Sequence, residues 1–440
     1  MKKSPGITRR GFCGVAVATA VASSLSLPSL LLSDRSAAMN AATKERTSGN
    51  TAIRPFHVNV PEADLSDLRR RVAATRFPEK EPVADKSQGV PLDTVQKLAR
   101  HWAKDYDWRK CEARINAYPN FLTEIDGLDI HFVHARSKHE NALPIIITHG
   151  WPGSVVEQLK IIGPLTDPTA YGGTAADAFH VVIPEIPGYG YSEKPGSIGW
   201  SPDRIARAWA VLMDRLGYTR YVAQGGDWGA LITDLMAAQA PPGLIGMHTN
   251  MAGVVPPEID KLLWAGSPPP PSLSAEEKIA WDMLGFSYKN VQYAFYMASR
   301  PQTLYGIADS PVGLAAWLLD HDPRSLDMIA RSFDGVSEGL TPDDVLDNCT
   351  HFWLTNSGVS SSRLYRENTF NYFSPKGVNI PVAVSVFPDE LYQAPRSWAE
   401  KAYPKLIHYN KVAKGGHFAA WEQPEIFTEE LRAGFKSLRV

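Results

Sequence analysis

From Leu143 onward, short apolar runs alternate with longer amphipathic stretches. "LPIIITHG" (143–150), "FHVVIPEIPGYGYS" (179–192), "RYVAQGG" (220–226), "GLIGMHTNMAG" (243–253), "VNIPVAVSVF" (378–387) and "KLIHYNKVA" (405–413) each hold a strand's length of apolar residues. Runs without polar alternation are expected of parallel strands covered on both faces. "SPDRIARAWAVLMDRLGY" (201–218) instead has a helical period. Ile205, Trp209, Leu212 and Leu216 share a face, Ser201 is placed to cap it, and Pro202 suits its first turn. The alternation predicts an α/β class: a mostly parallel, doubly wound sheet with helices on both faces. Ligands of such sheets bind at the carboxyl ends of the strands.

Upstream the pattern differs. Leu65, Leu68 and Val72 mark a short amphipathic helix stopped at Phe77-Pro78, and Val95, Leu98, Ala99 and Trp102 mark another over Leu92 to Tyr106. "FLTEIDGLDIHFVHAR" predicts a hairpin around Asp126-Gly127. His131 and His134 fall on its second strand without further ligands at metal spacing, so they are expected to be structural. Between the fourth and fifth apolar runs, residues 256–377 are rich in Trp, Phe and Tyr. A helical lid over a largely apolar pocket is expected there.

The 440 residues carry 44% hydrophobic positions and a formal charge of -2, which excludes a basic field for nucleic acid. The first 38 residues stand apart. Arg9-Arg10 precedes a mildly apolar stretch from Val15 to Leu32 and the small residues Ser36, Ala37 and Ala38. This resembles a twin-arginine export signal cut after Ala38, so an exported, periplasmic or secreted protein is expected. The alternative is a signal anchored in the membrane, which the serines and Pro28 disfavour as a permanent span. Removal would take away five bases and one acid and leave a charge of -6. Cys111 and Cys349 would remain, and two cysteines so far apart in sequence are expected to be free, buried thiols.

The chemistry concentrates at "VAQGGDWGAL" (222–231), a strand, a glycine turn and a helix start with Asp227 at the tip. A nucleophile elbow needs small residues beside its strained central residue, and Gly225, Gly226 and Gly229 supply them. The plainer reading is an aspartate that caps the helix. Three elements favour the first. "HGWPGS" (149–154) follows the first apolar run, and its Trp151 N–H can pair with the Trp228 N–H as an oxyanion hole. His417 in "GGHFAAWEQPE" comes last in the chain, where an elbow's base belongs. Asp389 and Glu390 end "IPVAVSVFPDELY", and either can orient that imidazole. A carboxylate is ionised at neutral pH without help, its reference pKa being about 3.9. It can displace a leaving group from an alkyl carbon, where serine is suited to acyl carbon. Asp227 therefore points to strained ethers or alkyl halides.

With these residues in view, the sequence resembles the microsomal-type epoxide hydrolases of the α/β-hydrolase superfamily. The resemblance runs from about residue 53 to the end. It rests on "RPFHVNVPEADLSDLRRRVAATRFP", "YDWRKCEARINAYPNFLTEIDGLDIHFVHARS", "THGWPGS", "GGDWGA", "RPQTLYGIADSPVGLAAWLLD", "SSSRLYREN", "FPDELY" and "YPKLIHYNKVAKGGHFAAWEQPE". It implies an α/β-hydrolase fold divided into an N-terminal domain (39–140), a core in two parts (141–255 and 378–440) and a lid (256–377). It also implies Asp227 as nucleophile, His417 as base and Glu390 as its carboxylate partner, with Asp389 the fallback. Two lid tyrosines, Tyr293 and Tyr365, would hold the epoxide oxygen. Tyr288 and Tyr296 compete for the first place, and Met297 stands where the family often has glutamine. The implied partners are a small apolar epoxide and water, with homo-oligomerisation open and no cofactor or metal called for. The family's eukaryotic members carry an N-terminal membrane anchor where this chain has the export-like segment. Haloalkane dehalogenation, which also uses an aspartate and adjacent tryptophans, is the rival chemistry. A ligand-binding receptor on the same fold without turnover is the other alternative.

Overall fold

A computed structural model describes residues 51–439. The expected export signal, residues 1–38, lies outside the described residues. The described chain belongs to one compact unit built on a nine-stranded sheet. Its strands are β1 (Arg54–Phe56), β2 (Asn120–Ile125), β3 (Leu128–Ala135), β4 (Leu143–Thr148), β5 (Phe179–Pro184), β6 (Tyr221–Gly225), β7 (Leu244–Thr249), β8 (Val382–Val386) and β9 (Leu406–Lys411). Their order is β1-β2-β3-β5-β4-β6-β7-β8-β9. From β5 through β9 all neighbours are parallel, while β1, β2 and β3 add an antiparallel edge that joins β5. The runs become strands; β4 and β7 are buried along nearly their whole length and β5, β6 and β8 completely, while β9 at the edge of the sheet stays partly or fully exposed. The order reverses at β4, whose neighbours are β5 and β6, and that reversal opens a crevice at the strands' carboxyl ends.

The hairpin forms as expected. Asp126 and Gly127 both take positive φ (52° and 83°), the twist a two-residue hairpin turn requires. The helix expected over Leu92 to Tyr106 ends at Lys104. A further helix, Trp108–Asn116, follows it unannounced. Asp107 caps it by accepting the Arg109 N–H at 3.0 Å. Its apolar stripe is only Trp108, Cys111 and Ile115, too short to stand out from the preceding helix. Ser201 sits at the N-cap of Pro202–Arg215, but its hydroxyl bonds the Asp203 carboxylate at 2.5 Å instead of a backbone N–H. Cys111 and Cys349 are free and buried, and burial pushes both thiols up to about 12.

Helices between Pro257 and Glu367 are inserted between β7 and β8, where the lid is expected, and the N-terminal helices pack against them. Trp102 Nε1 donates to Thr350 Oγ1 at 2.9 Å, and the Tyr106 hydroxyl to Asp347 at 2.8 Å. His131 has a structural partner set. Its Nδ1 lies 2.9 Å from Glu185, whose other oxygen meets His351 of the lid at 2.6 Å. Burial raises the Glu185 pKa, but the two imidazoles outweigh it and hold the carboxyl below its usual range. His134 Nε2 meets the Tyr218 hydroxyl at 2.8 Å. Asn348 donates to the Pro152 carbonyl and accepts from Ser154, each at 2.7 Å, which clamps the lid to the 149–154 loop. Among the described residues no helix is long and apolar enough to cross a membrane.

Candidate active site

The turn after β6 is built by close approach. A Cβ on Gly225 would lie 2.0 Å from the Gly229 carbonyl oxygen, and one on Gly229 1.9 Å from that of Thr148. Only glycine lets the helix Trp228–Gln239 start this near β4 and β6. Asp227 between them adopts φ 49° and ψ −127°, a conformation that costs a non-glycine residue roughly 1–3 kcal/mol. Although it stands at the N-cap position, its side chain makes no capping bond. The carboxylate turns into the crevice instead.

There it meets three groups from three places in the chain. The Trp151 N–H donates to Oδ1 at 2.7 Å. Oδ2 lies 3.4 Å from His417 Nε2 and accepts from the Tyr372 hydroxyl at 3.2 Å. His417 Nδ1 lies 2.5 Å from Glu390 Oε1, which also accepts the Leu391 N–H at 2.8 Å. Asp389, the alternative acid, is half-exposed and paired with Arg324, so it does not face His417. Burial raises the Asp227 pKa, but the hydrogen bond and charge of His417, together with His321 and the Trp151 N–H, outweigh it and leave it lowered. Burial pushes His417 down, yet Glu390 and Asp227 hold it well above its ordinary value. The resting site is an ion pair with one acid on either side of the imidazole.

Tyr293 and Tyr365 line the same cavity as Asp227. The Tyr293 ring stacks on Trp151 at 4.7 Å and the Tyr365 ring meets Trp228 edge-on at 4.7 Å, with 6.2 Å between the two tyrosines. Burial first, then the charge of Asp227, pushes both phenols well above the ordinary tyrosine value, so both keep their protons. Of the two alternatives, Tyr288 lines the same cavity and Tyr296 does not. The Tyr288 hydroxyl donates to Asp260 at 2.5 Å, and Tyr296 is exposed beside Trp317. Met297 is fully buried. Trp228 is the first helical residue, so its N–H has no acceptor within the helix.

A cavity of about 260 Å³ opens on Asp227, Trp228, Tyr293, Tyr365 and Tyr372, under Trp264, Phe295 and Phe373. Behind Asp227 lies a space of about 20 Å³ lined by Glu157, Gln224, Asn250 and His417. It has room for one water. Glu157 is buried there, and burial lifts it to about 8 against a hydrogen bond from Gln158. His321 is the other unforeseen neighbour, with its ring centre 4.2 Å from that of His417. Asp227, His321 and His417 each bring one ligand-type atom within 4.8 Å of the others. Each is already tied elsewhere, to Trp151, Asp322 and Glu390 respectively, as proton-handling groups are. Tyr372, Glu157 and His321 escaped sequence reasoning. The one signal in the sequence was a His-Asp-Pro helix start (His321).

Residues 53–158 match the family described as epoxide hydrolase N terminus, and residues 144–295 the alpha/beta hydrolase fold. A putative epoxide hydrolase of Stigmatella aurantiaca is 50% identical over 88% of this chain and 86% of its own length. Epoxide hydrolase 1 of Oryctolagus cuniculus is 34% identical over 86% of this chain and 88% of its own. The crystal structure of juvenile hormone epoxide hydrolase from Bombyx mori superposes with a TM-score of 0.79. The two share 30% identity over 90% of this chain and 96% of that one. The Aspergillus niger epoxide hydrolase gives a TM-score of 0.74 at 30% identity, over 89% and 98%. An uncapped carboxylate at a nucleophile elbow, a Glu-backed imidazole beside it and these relatives agree: the chain belongs to the epoxide hydrolases of the α/β-hydrolase fold.

Proposed function

We propose that this enzyme converts a small apolar epoxide and water to a vicinal diol through a covalent ester on Asp227. The observation that carries it is the Asp227 carboxylate, which leaves its helix uncapped and faces His417, the Trp151 N–H and the tyrosine-lined cavity together. Asp227, charged at neutral pH, attacks one ring carbon. Tyr293 and Tyr365, whose protons are secured by burial, donate to the oxygen as the carbon–oxygen bond breaks. His417, oriented by Glu390, then takes a proton from water, and that water adds to the ester carbonyl. Charge develops on the carbonyl oxygen that was Oδ1 of Asp227, where Trp151 already donates and the Trp228 N–H is available. The water-sized space beside Glu157 and His417 supplies a station for the nucleophile of this second step. A cavity of about 260 Å³ fits a compact, mostly apolar substrate.

His417→Gln separates the steps. Ring opening should survive and hydrolysis should stall, with turnover down roughly 10²–10⁴-fold. Mass spectrometry of this variant after exposure to an epoxide should find the added mass on the peptide holding Asp227. An unmodified peptide from a variant that still makes diol would end the covalent reading.

The localisation we propose is export by the twin-arginine route, on the strength of Arg9-Arg10 and the apolar stretch after them. Replacing both arginines with lysine should leave the enzyme inside the cell. Unchanged fractionation would count against export.

A further inference from the structure

His321 is placed like a second base, yet the two steps above leave it unused. Its Nδ1 lies 3.0 Å from Asp322 Oδ2. The other Asp322 oxygen accepts the Arg324 and Ser325 N–H groups, each at 2.9 Å, so the start of the helix Pro323–Phe333 fixes the carboxylate that fixes the imidazole. Burial raises the Asp322 pKa, but the hydrogen bond and charge of His321 outweigh it and the carboxyl stays ionised. This Asp–His arrangement repeats the Glu390–His417 arrangement beside it. His321 Nε2 is buried without a protein partner. The His321 ring is close to two groups that exchange protons in the proposed reaction: 4.2 Å from His417 and 5.4 Å from Tyr293, centre to centre.

The reaction needs such a link. In ring opening a carbon–oxygen bond breaks, Asp227 gains a bond to carbon, and a phenol gives its proton to the departing oxygen. A tyrosinate is left. In ester hydrolysis one water adds its oxygen to the carboxyl carbon. One of its protons goes to the alkoxide that leaves with the diol. The other is released as the carboxyl group returns to carboxylate. His417 holds a proton at rest and must lose it before it can take one from water. The proton that hydrolysis releases restores the imidazolium, and the proton lost beforehand is the one the tyrosinate lacks. We propose that the His321–Asp322 pair relays this proton from His417 to Tyr293, closing the cycle without exchange through the substrate cavity. The proposal rests on the two-step reading and assigns Tyr293 as the proton donor, with Tyr365 holding the oxygen by hydrogen bond. His321 acts through His417 and Tyr293 and is a positioning residue for the proton, not a group that touches substrate.

His321→Phe keeps an aromatic ring against His417 and removes the nitrogens. His321→Ala leaves a space that free imidazole can fill. Both should form the ester at the wild-type rate and then hydrolyse it roughly 10²-fold more slowly, in the first turnover and in every later one, as loss of a placed proton carrier does. Tyrosinate absorbance should build up during that slow phase. Imidazole should restore steady turnover to His321→Ala and leave His321→Phe unchanged. Wild-type turnover by His321→Phe would overturn the relay. So would ester formation slowed as much as ester hydrolysis, the mark of a merely structural ring. Failure of His417→Gln to trap an ester is a separate result that removes the two-step reading itself.

Discussion

Glu422 holds the backbone on both sides of His417. Its Oε2 accepts the Gly416 N–H at 2.8 Å and its Oε1 the Phe418 N–H at 2.9 Å. The carboxyl is buried, and burial lifts it to about 7 while the two N–H groups restrain the rise. The loop bearing the imidazole is thus fixed by the last residue of the short helix that follows it. Glu422→Ala would strand two buried donors, at about 1–3 kcal/mol each. We expect a lower melting temperature and, in single-turnover measurements, ester hydrolysis slowed more than ester formation. Glu422→Gln, which keeps one acceptor oxygen, should fall between. Equal slowing of the two steps would show that the clasp is not specific to His417.

The lid tyrosines should divide by where their hydroxyls face. Tyr293→Phe and Tyr365→Phe each remove a donor to an oxygen that gains charge as the ring opens. A hydrogen bond to a charged group contributes about 1.5–3 kcal/mol, so ester formation should slow roughly 10- to 100-fold. Tyr288→Phe should leave that step untouched, because its hydroxyl serves Asp260. Tyr296→Phe should do the same from its exposed position beside Trp317. Stopped-flow tryptophan fluorescence can follow the step, since Trp151 and Trp228 flank it. A faster decay of the ester in the Tyr293 or Tyr365 variants, with formation unchanged, would reverse the assignment.

What the chain declared and what it hid follow one physical rule. The strands were legible because β4, β5 and β6 are covered on both faces, which leaves an unbroken apolar signature in a few residues. Asp227 was legible because its turn needs glycines that stand beside it in sequence. The choice between Asp389 and Glu390 was not. The strand expected to end at these acids stops at Val386, and both lie in the turn beyond it, where no alternation sorts them; only the fold shows Asp389 meeting Arg324 while Glu390 meets His417. Tyr372 lies 145 positions from the carboxylate it touches, in a segment without regular structure, so no period announces it. Glu157 reads like any polar residue on a helix until the burial of that whole turn is seen.

Glu157 carries a pH signature. Its folded pKa of about 8 lies above the usual 4.5, so the folded protein keeps a proton that the unfolded chain surrenders. Stability therefore falls as pH rises through that window, by up to about 1.4 kcal/mol per unit. Glu157→Gln cannot titrate. Its melting temperature relative to the wild type should climb between pH 5 and pH 8 and level off above, as read by calorimetry at a series of pH values. A constant difference across the series would mean that Glu157 is ionised in the folded enzyme.

The pair Asp227 and His417 raises a difficulty that the chemistry itself resolves. A base must be neutral to take a proton, yet in the resting site His417 is held well above its ordinary pKa, with Asp227 among the causes. Ester formation removes the charge of Asp227. Burial, which opposes the imidazolium, then meets only the Glu390 charge and hydrogen bond, and the pKa falls. The imidazole becomes a base at the stage when water must be deprotonated. Asp227→Asn mimics this uncharged state. Nitrogen NMR should show its His417 titrating at a lower pH than in the wild type. The sign carries into stability. A histidine with a raised folded pKa stabilises most below its unfolded value, and that share is lost as pH rises through the folded one. The wild type should keep this share to higher pH than Asp227→Asn does. Coincident titrations in the two proteins would show that Glu390 alone sets the imidazole, and the switch from ion pair to base would have to be sought elsewhere.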